Sequence, residues 1–319
     1  MKEQQDKKQH ETQILQILPK TIRKIFQSES IQYEKLQEIR IRIGQPLLLI
    51  MNNEEWILPS GSTDKHIVSK KEMRETLDYI SNYSLYAFEN EMKQGFITIE
   101  GGHRVGLTGK AVIENNRVKN IQYISSINIR IAHEILGCAD RILPYITLNK
   151  QICHTLIISP PRCGKTTLLR DLVRQISNGN EYIKGCTVGV VDERSELGGC
   201  FMGIAQNQMG IRTDILDCCP KAEGMIMLVR SMAPEVIAVD EIGSPDDVHA
   251  IEYVMHCGCK LLASVHGSSM EEIKKKPVLN QLILEKRFER YIVLDNSIGI
   301  GKIQNIFDER GSQIFQETA

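Results

Sequence analysis

Gly164-Lys165-Thr166 and Asp240-Glu241 are the residues of this chain best equipped for phosphate chemistry. A lysine amine behind a glycine turn supplies a point charge for the β- and γ-phosphate oxygens, and the threonine hydroxyl beside it is a ligand for Mg²⁺. An aspartate delivered by a strand completes that ion's shell, and the glutamate after it polarises an attacking water. This pattern reads as binding and hydrolysis of a nucleoside triphosphate. ATP and Mg²⁺ are expected, with Thr166 and Asp240 as the metal residues and Glu241 as the catalytic base.

Such side chains work only on a rigid frame, and the flanking residues supply one. Leu156 to Ile158 is an apolar run short enough for a buried strand, and Ser159 to Gly164 is rich in turn residues. Lys165 then opens a helical stripe through Leu168, Leu169, Leu172, Val173 and Ile176, with Gly179 as the stop. Strand, loop and helix in that order make an anion cradle of backbone N–H groups at the positive end of the helix dipole. Ser159, Pro160, Pro161, Arg162, Cys163, Gly164, Lys165, Thr166 and Thr167 are therefore the predicted nucleotide-binding residues. The pattern G-x-x-x-x-G-K-[ST] wants glycine where Ser159 stands; Gly164 is kept, and Pro160 and Pro161 stiffen the entrance by fixing φ. A strand-to-helix turn that happens to carry G-K-T is the plain alternative. The apolar run Val236 to Val239, ending in Asp240-Glu241 and following in the right order, argues against it.

The chain has 319 residues, 42% of them hydrophobic and 25% charged, which suits two domains each with its own core. Its formal net charge of −1 offers no basic field to nucleic acid or an acidic membrane, so no nucleic acid is expected as partner. No apolar run approaches the ~20 residues that span a bilayer. Met1 to His10 is polar and charged, unlike a signal peptide, and residues 1 to about 13 read as disordered. The nine cysteines are scattered and read as reduced thiols. His256-Cys257-Gly258-Cys259 and Cys218-Cys219 lack the spacing of a zinc site, so buried apolar roles are expected for them.

In chain order, a helical stripe runs through Ile14, Leu18, Ile22, Ile25 and Phe26, and Leu36 to Gly44 alternates as a half-buried strand. Pro46 to Met51 is a second strand. Met73, Leu77 and Ile80 mark a helix, and Ser84 caps another through Leu85, Phe88 and Met92. Phe96 to Ile99 pairs with Arg104 to Leu107 across Gly101-Gly102, and Val112 to Glu114 turns at Asn115-Asn116 into the strand Val118 to Ile131. Arg40, Arg42, His103, Arg104 and Arg130 either face a partner or a nucleotide edge, or sit on solvated strand faces. A helical pattern over Ala132 to Leu143 leads to the next domain. The prediction is a smaller α+β domain over residues 1–135, then an α/β domain over 136–319 with a mostly parallel sheet covered on both faces. Thr187 to Val191, Lys260 to Val265 and Tyr291 to Leu294 are further strands of that sheet, the last closing it. A helical stripe from Ala222 to Met232 precedes the acidic strand. Ser244-Pro245-Asp246-Asp247 is a strong helix start.

Ligands of such a sheet gather at the carboxyl ends of its strands. That rule collects Ser159 to Thr167, Asp192-Glu193, Asp240-Glu241 and His266. Glu193 would position water or support the metal shell, and His266 would hydrogen-bond a γ-phosphate oxygen. Arg194, Arg212 and Arg230 lie where an arginine could complete a neighbouring subunit's site, and the sequence does not choose among them.

The strings E-I-R-I-R-I-G-Q-P (Glu38 to Pro46) and Q-G-F-I-T-I-E-G-G-H-R-V-G-L-T-G (Gln94 to Gly109) are distinctive in the first domain. In the second, P-P-R-C-G-K-T-T, V-V-D-E-R-S-E-L, L-V-R-S-M-A-P-E-V-I-A-V-D-E-I-G and S-V-H-G go far beyond a bare phosphate loop. Over nearly its whole length the chain resembles the stage III sporulation protein AA family, ATPases related to those of type II and type IV secretion. The resemblance implies a RecA-like P-loop core and a cytoplasmic ring, hexameric, at the mother-cell face of a channel to the forespore. Membrane proteins of the same sporulation operon would be its partners, and membrane contact would run through them. Secretion ATPases carry an acidic box and a His box that Asp192-Glu193 and His266 match. Asp240 departs from their usual glycine, so the metal site looks more like a general RecA-like or AAA+ one. Asp295 to Ala319 is too short for an AAA+ lid, which favours the secretion-type core. Two other readings stay open: a nucleotide-gated scaffold that hydrolyses little, which has no need of Glu241, and a nucleic-acid translocase, which the near-neutral charge opposes.

Overall fold

A computed structural model describes residues 11–29, 31–60, 64–81, 95–295 and 301–316. The chain divides into two compact units, one reaching to His133 and including Gly199–Gln206, the other formed by Glu134–Gly198 and Asn207 onward. The sequence reading left the short segment Gly199–Gln206 in the second domain.

The first unit is a six-stranded antiparallel sheet with strands β1 (Leu36–Arg42), β2 (Leu48–Met51), β3 (Glu54–Ile57), β4 (Phe96–Thr98), β5 (Arg104–Glu114) and β6 (Arg117–Arg130), in the order β3-β2-β1-β6-β5-β4. The alternation of Leu36 to Gly44 pays out as predicted, with Ile39 and Ile41 fully buried. They meet Ile14 and Leu18, Ile22 and Phe26 of α1 (Lys20–Ser28), and Met73 and Ile80 of α2 (Lys70–Ile80) in one core. A capping box between Ser69 and Glu72 starts α2. Arg104 to Leu107 and Val112 to Glu114 are one long strand instead of two. The helix predicted after Ser84 lies outside the described residues. The basic side chains here serve the unit itself: Arg40 and Arg130 pair with Glu38, Arg104 lies 3.5 Å above the Phe96 ring, and buried His103 accepts the Ala132 N–H at Nδ1.

The second unit holds an eight-stranded sheet. Its strands are β7 (Thr155–Ser159), β8 (Val188–Asp192), β9 (Thr213–Asp217), β10 (Val236–Val239), β11 (Lys260–His266), β12 (Arg290–Asp295), β13 (Lys302–Asp308) and β14 (Gln313–Gln316), ordered β9-β8-β10-β11-β7-β12-β13-β14. The pairs from β9 through β12 are parallel and the last two antiparallel. Tyr291 to Leu294 is thus not the final strand. β13 and β14 follow it, and their weak alternation gives little signal in the sequence. The half-buried edge strand β9 and the helices α6 (Met270–Lys274) and α7 (Pro277–Leu284) were also unforeseen. The helical pattern over Ala132 to Leu143 shrinks to Leu143–Ile146.

Continuous apolar runs make the central strands, and both faces are covered accordingly. Leu156, Ile158, Val191, Val239 and Ala263 pack under α4 (Lys221–Met232), α5 (Pro245–His256) and α7, while Ile157, Val190, Ala238 and Leu262 are equally buried on the other face. α3 (Lys165–Asn178) packs on β7, β8, β9 and β11. Mid-helix Gly224 answers to a close approach, since a Cβ there would meet Val191 Cγ1 at 2.5 Å. All nine cysteines are free. Cys259 is buried as expected, whereas Cys218 and Cys257 are exposed and do not serve the core. Among the described residues no helix is long and apolar enough to cross a membrane.

Candidate active site

The register of the parallel strands sets the site. Ser159 stands opposite His266, and Val239 pairs with both Val191 and Ala263. The residues just beyond, Asp192, Asp240 and Ser264, are therefore neighbours at one edge of the sheet. The phosphate loop enters there. Ser159 is fully buried at the end of β7, bonds the Pro160 carbonyl at 2.9 Å, and has no left-handed backbone. Its conformation makes no demand for glycine, so the departure from the usual pattern is tolerated. Gly164 does make that demand, with φ +84° as it caps α3. Arg162 also takes a left-handed turn, φ +62°, and points outward, while Cys163 is buried and its carbonyl accepts the Gly301 N–H at 3.0 Å.

Lys165, only 6% exposed, aims its ammonium at both carboxylates: 2.6 Å to Asp240 Oδ1 and 3.1 Å to Glu241 Oε1. Thr166 Oγ1 donates to Asp240 Oδ2 at 2.8 Å. Ser264, fully buried, donates its hydroxyl to Asp240 and accepts the Glu241 N–H at 2.9 Å. Burial alone would raise the Asp240 carboxyl. The neighbouring Lys165 ammonium and the Ser264 and Thr166 hydroxyls hold it below the usual carboxylate range. Thr166 and Asp240 offer a hydroxyl and a carboxylate on one small spot at the head of a helix, all oxygen donors, which suits Mg²⁺ shared with substrate phosphates. Among the described residues no group of three or more His, Cys, Asp or Glu is placed to hold a metal without such help.

Glu241 has an unusual backbone for a residue that carries a Cβ, φ +58°, and Ser264 secures it through both its hydroxyl and its carbonyl, the latter taking the Ile242 N–H. The Glu241 carboxylate is surrounded by basic side chains. Oε1 lies 2.8 Å from His266 Nε2 besides its contact to Lys165, and Oε2 lies 3.0 Å from Arg194 Nη1. Burial pushes Glu241 upward, yet Lys165 and Arg194 outweigh it and hold the carboxyl below its ordinary value.

Asp192 spends its carboxylate on its own turn. It is 3% exposed and accepts three backbone N–H bonds, from Glu196, Leu197 and Gly198, at 2.8, 2.9 and 2.8 Å. Arg170 of α3 takes the carbonyls of the same turn, Leu197 O at 2.9 Å and Glu196 O at 2.6 Å. The turn after β8 is thereby fixed from both polar sides. Glu193 pairs with Lys221 at the start of α4. A cleft of about 20 Å³ lies among Asp192, Glu193, Arg194, Glu196, Asp240 and Glu241, room for a single water.

Burial pushes the Asp192 carboxyl up to about 6, against the pull of its three N–H donors. A carboxyl raised on folding from 3.8 favours the folded state fully below about pH 4, and that contribution is lost as pH rises through 6. In a denaturant series, the stability difference between wild type and Asp192→Asn should shift by about 2 kcal/mol in favour of the variant between pH 4 and 7. The lost oxygen acceptor adds a constant offset. A difference independent of pH would contradict this placement of Asp192.

Lys165, Thr166, Asp240, Glu241, His266 and Arg194 come together, with Glu193 across the small cleft. Arg230 does not join them in its contacts: its guanidinium lies over the Tyr253 ring and Nε reaches the Tyr253 hydroxyl. Arg212 is tied to the Ser177 carbonyl at the end of α3 at 2.8 Å. Sequence reasoning passed over Ser264, Arg170 and Lys221. Ser264 had a signal, because period-two alternation puts it on the same face of β11 as His266. Arg170 and Lys221 had none, since helix-surface cations are ordinarily solvated.

A family model described as "Sporulation stage III, protein AA" matches residues 5–314. Stage III sporulation protein AA of Bacillus subtilis (strain 168) is 42% identical over 309 residues, covering 96% of this chain and 98% of that protein. Among solved structures, the ATPase DotB of Legionella pneumophila matches with a TM-score of 0.54 at 16% identity, over 81% of this chain and 72% of that one. The pilus retraction motor PilT, solved with bound ADP, matches with a TM-score of 0.55 at 13% identity, over 81% and 73%. At these identities the structural matches show the fold, a P-loop core of the RecA-like kind.

Proposed function

The chain belongs to the sporulation stage III protein AA family, and from that premise we propose that it is an ATPase that powers a mother-cell-to-forespore channel during endospore formation. One observation carries the enzymatic part: a lysine and a threonine at the head of α3 meet an aspartate and a glutamate at the end of β10.

The triphosphate lies at the N-terminus of α3, where the backbone N–H groups and Lys165 take its β- and γ-oxygens. Thr166 and Asp240 would hold Mg²⁺, which would neutralise charge on the phosphate oxygens. A water in the cleft beside Glu193 attacks the γ-phosphorus. Its proton passes to Glu241, the bond from the γ-phosphorus to the bridging oxygen breaks, and ADP leaves with that electron pair. His266, on the adjoining strand, hydrogen-bonds the γ-phosphate and registers its loss. Ser264 positions both carboxylates.

At the level of the cell, the chain acts as a hexameric ring in the mother-cell cytoplasm, docked on membrane proteins of its operon. Turnover drives assembly or transport there; kinship in fold with a pilus retraction motor supports this reading. The nucleotide-gated scaffold has one observation in its favour, namely that both Glu241 oxygens are engaged by cations in this structure. The discriminating experiment is phosphate release from ATP, with Mg²⁺ and with a chelator, over protein concentrations that bracket ring assembly. Mg²⁺-dependent turnover by the assembled chain is expected. ATP bound but uncleaved at every concentration would turn the reading to the scaffold.

A further inference from the structure

We propose that Arg194 serves its own chain's active site, as a cation that leaves Glu241 for the terminal phosphate when a triphosphate binds. This rests on the ATPase reading above. Of the three arginines in suitable stretches, Arg230 is engaged with Tyr253 and Arg212 with the end of α3, whereas Arg194 reaches a site carboxylate of its own chain at 3.0 Å. The reach is built in. Asp192 and Arg170 clamp the turn that carries Arg194, and Ser195, next along it, takes a left-handed φ of +52°.

The charges give the direction of the exchange. Glu241 is a single carboxylate shared by Lys165, His266 and Arg194. A γ-phosphate presents more negative charge and three acceptor oxygens, and a guanidinium matches it in paired hydrogen bonds. Lys165 and Arg194 therefore move to the phosphate together, and Glu241 keeps only His266. A base capped by two strong cations accepts no proton, so Glu241 becomes competent only once the triphosphate is in place. A diphosphate reaches Lys165 but has no γ-oxygens for Arg194, so it leaves the Arg194–Glu241 pair closed.

The test is equilibrium binding of ADP and of a slowly hydrolysed ATP analogue to wild type and Arg194→Ala, at protein dilutions where the chain sediments as a single copy. Arg194 is 61% exposed in its side chain, so the variant should fold. We expect the variant to hold ADP within about twofold of wild type and the triphosphate analogue about tenfold more weakly, the scale of one charge-assisted contact. Equal affinities for the analogue would overturn the proposal and return Arg194 to a neighbour's site or to a purely resting role. An equal loss for both nucleotides would overturn it too, by showing a general loss of the pocket. If wild type bound neither nucleotide, the ATPase reading itself would fall, and the proposal with it.

Discussion

The Glu241→Gln protein is expected to bind ATP at least as well as wild type and to hydrolyse it about 10²- to 10⁴-fold more slowly, the usual share of a positioned general base. An amide has the shape of the carboxylate and keeps an oxygen for His266 or Lys165, so the pocket survives. It has no lone charge with which to take a proton from water. Binding should not suffer, because the two cations that cap Glu241 are released by the loss of its charge. ATP retained on the purified variant, beside ADP on wild type, would be the visible result. Turnover at the parental rate would remove Glu241 from the reaction.

Lys165→Ala is expected to lose nucleotide binding and to lose stability as well. Lys165 is buried against Asp240 and Glu241, and removing it leaves two carboxylates short of a cation at a site with little solvent. Breaking a pair of this kind costs about 3 kcal/mol. The sign with pH follows from the carboxyls, both held below their usual values mainly by Lys165 against the upward push of burial. The stability they lend is present above the unfolded values near pH 4 and is lost as pH falls through the lower folded ones. Without Lys165 that contribution disappears, so the deficit of the variant is full above about pH 4 and shrinks only as pH falls below it. Denaturant unfolding of both proteins at pH 7.5 and 3 measures it, and an equal deficit at the two values would mean that packing, not charge, was lost.

How legible the molecule was depended on whether each signal was local. The phosphate loop, the acidic strand end and the helix start at Ser244 each lie within a few consecutive residues, and the Ser244–Asp247 capping box forms as its sequence implies. The edges of the sheet were not legible. β9 is only half-buried along its length and β13 alternates poorly, so hydrophobic periodicity had little to report. Arg170 shows the limit at the site itself. Its neighbours in sequence mark it as one more helix cation, and its role in holding the Glu196–Leu197 carbonyls exists only once α3 lies beside the turn after β8. Asp192 shows the same limit. An acid at a strand end reads as a ligand, yet three backbone N–H groups of its own turn claim it.

The most direct measurement is a single turnover: excess protein, wild type or Glu241→Gln, mixed with γ-labelled ATP and Mg²⁺, with bound nucleotide and released phosphate followed together. Both proteins should bind the label, and only wild type should convert it to ADP and free phosphate at a resolvable rate. Cleavage at equal rates by the two proteins, or bound ATP that wild type never cleaves, would contradict an active site built on Lys165, Asp240 and Glu241.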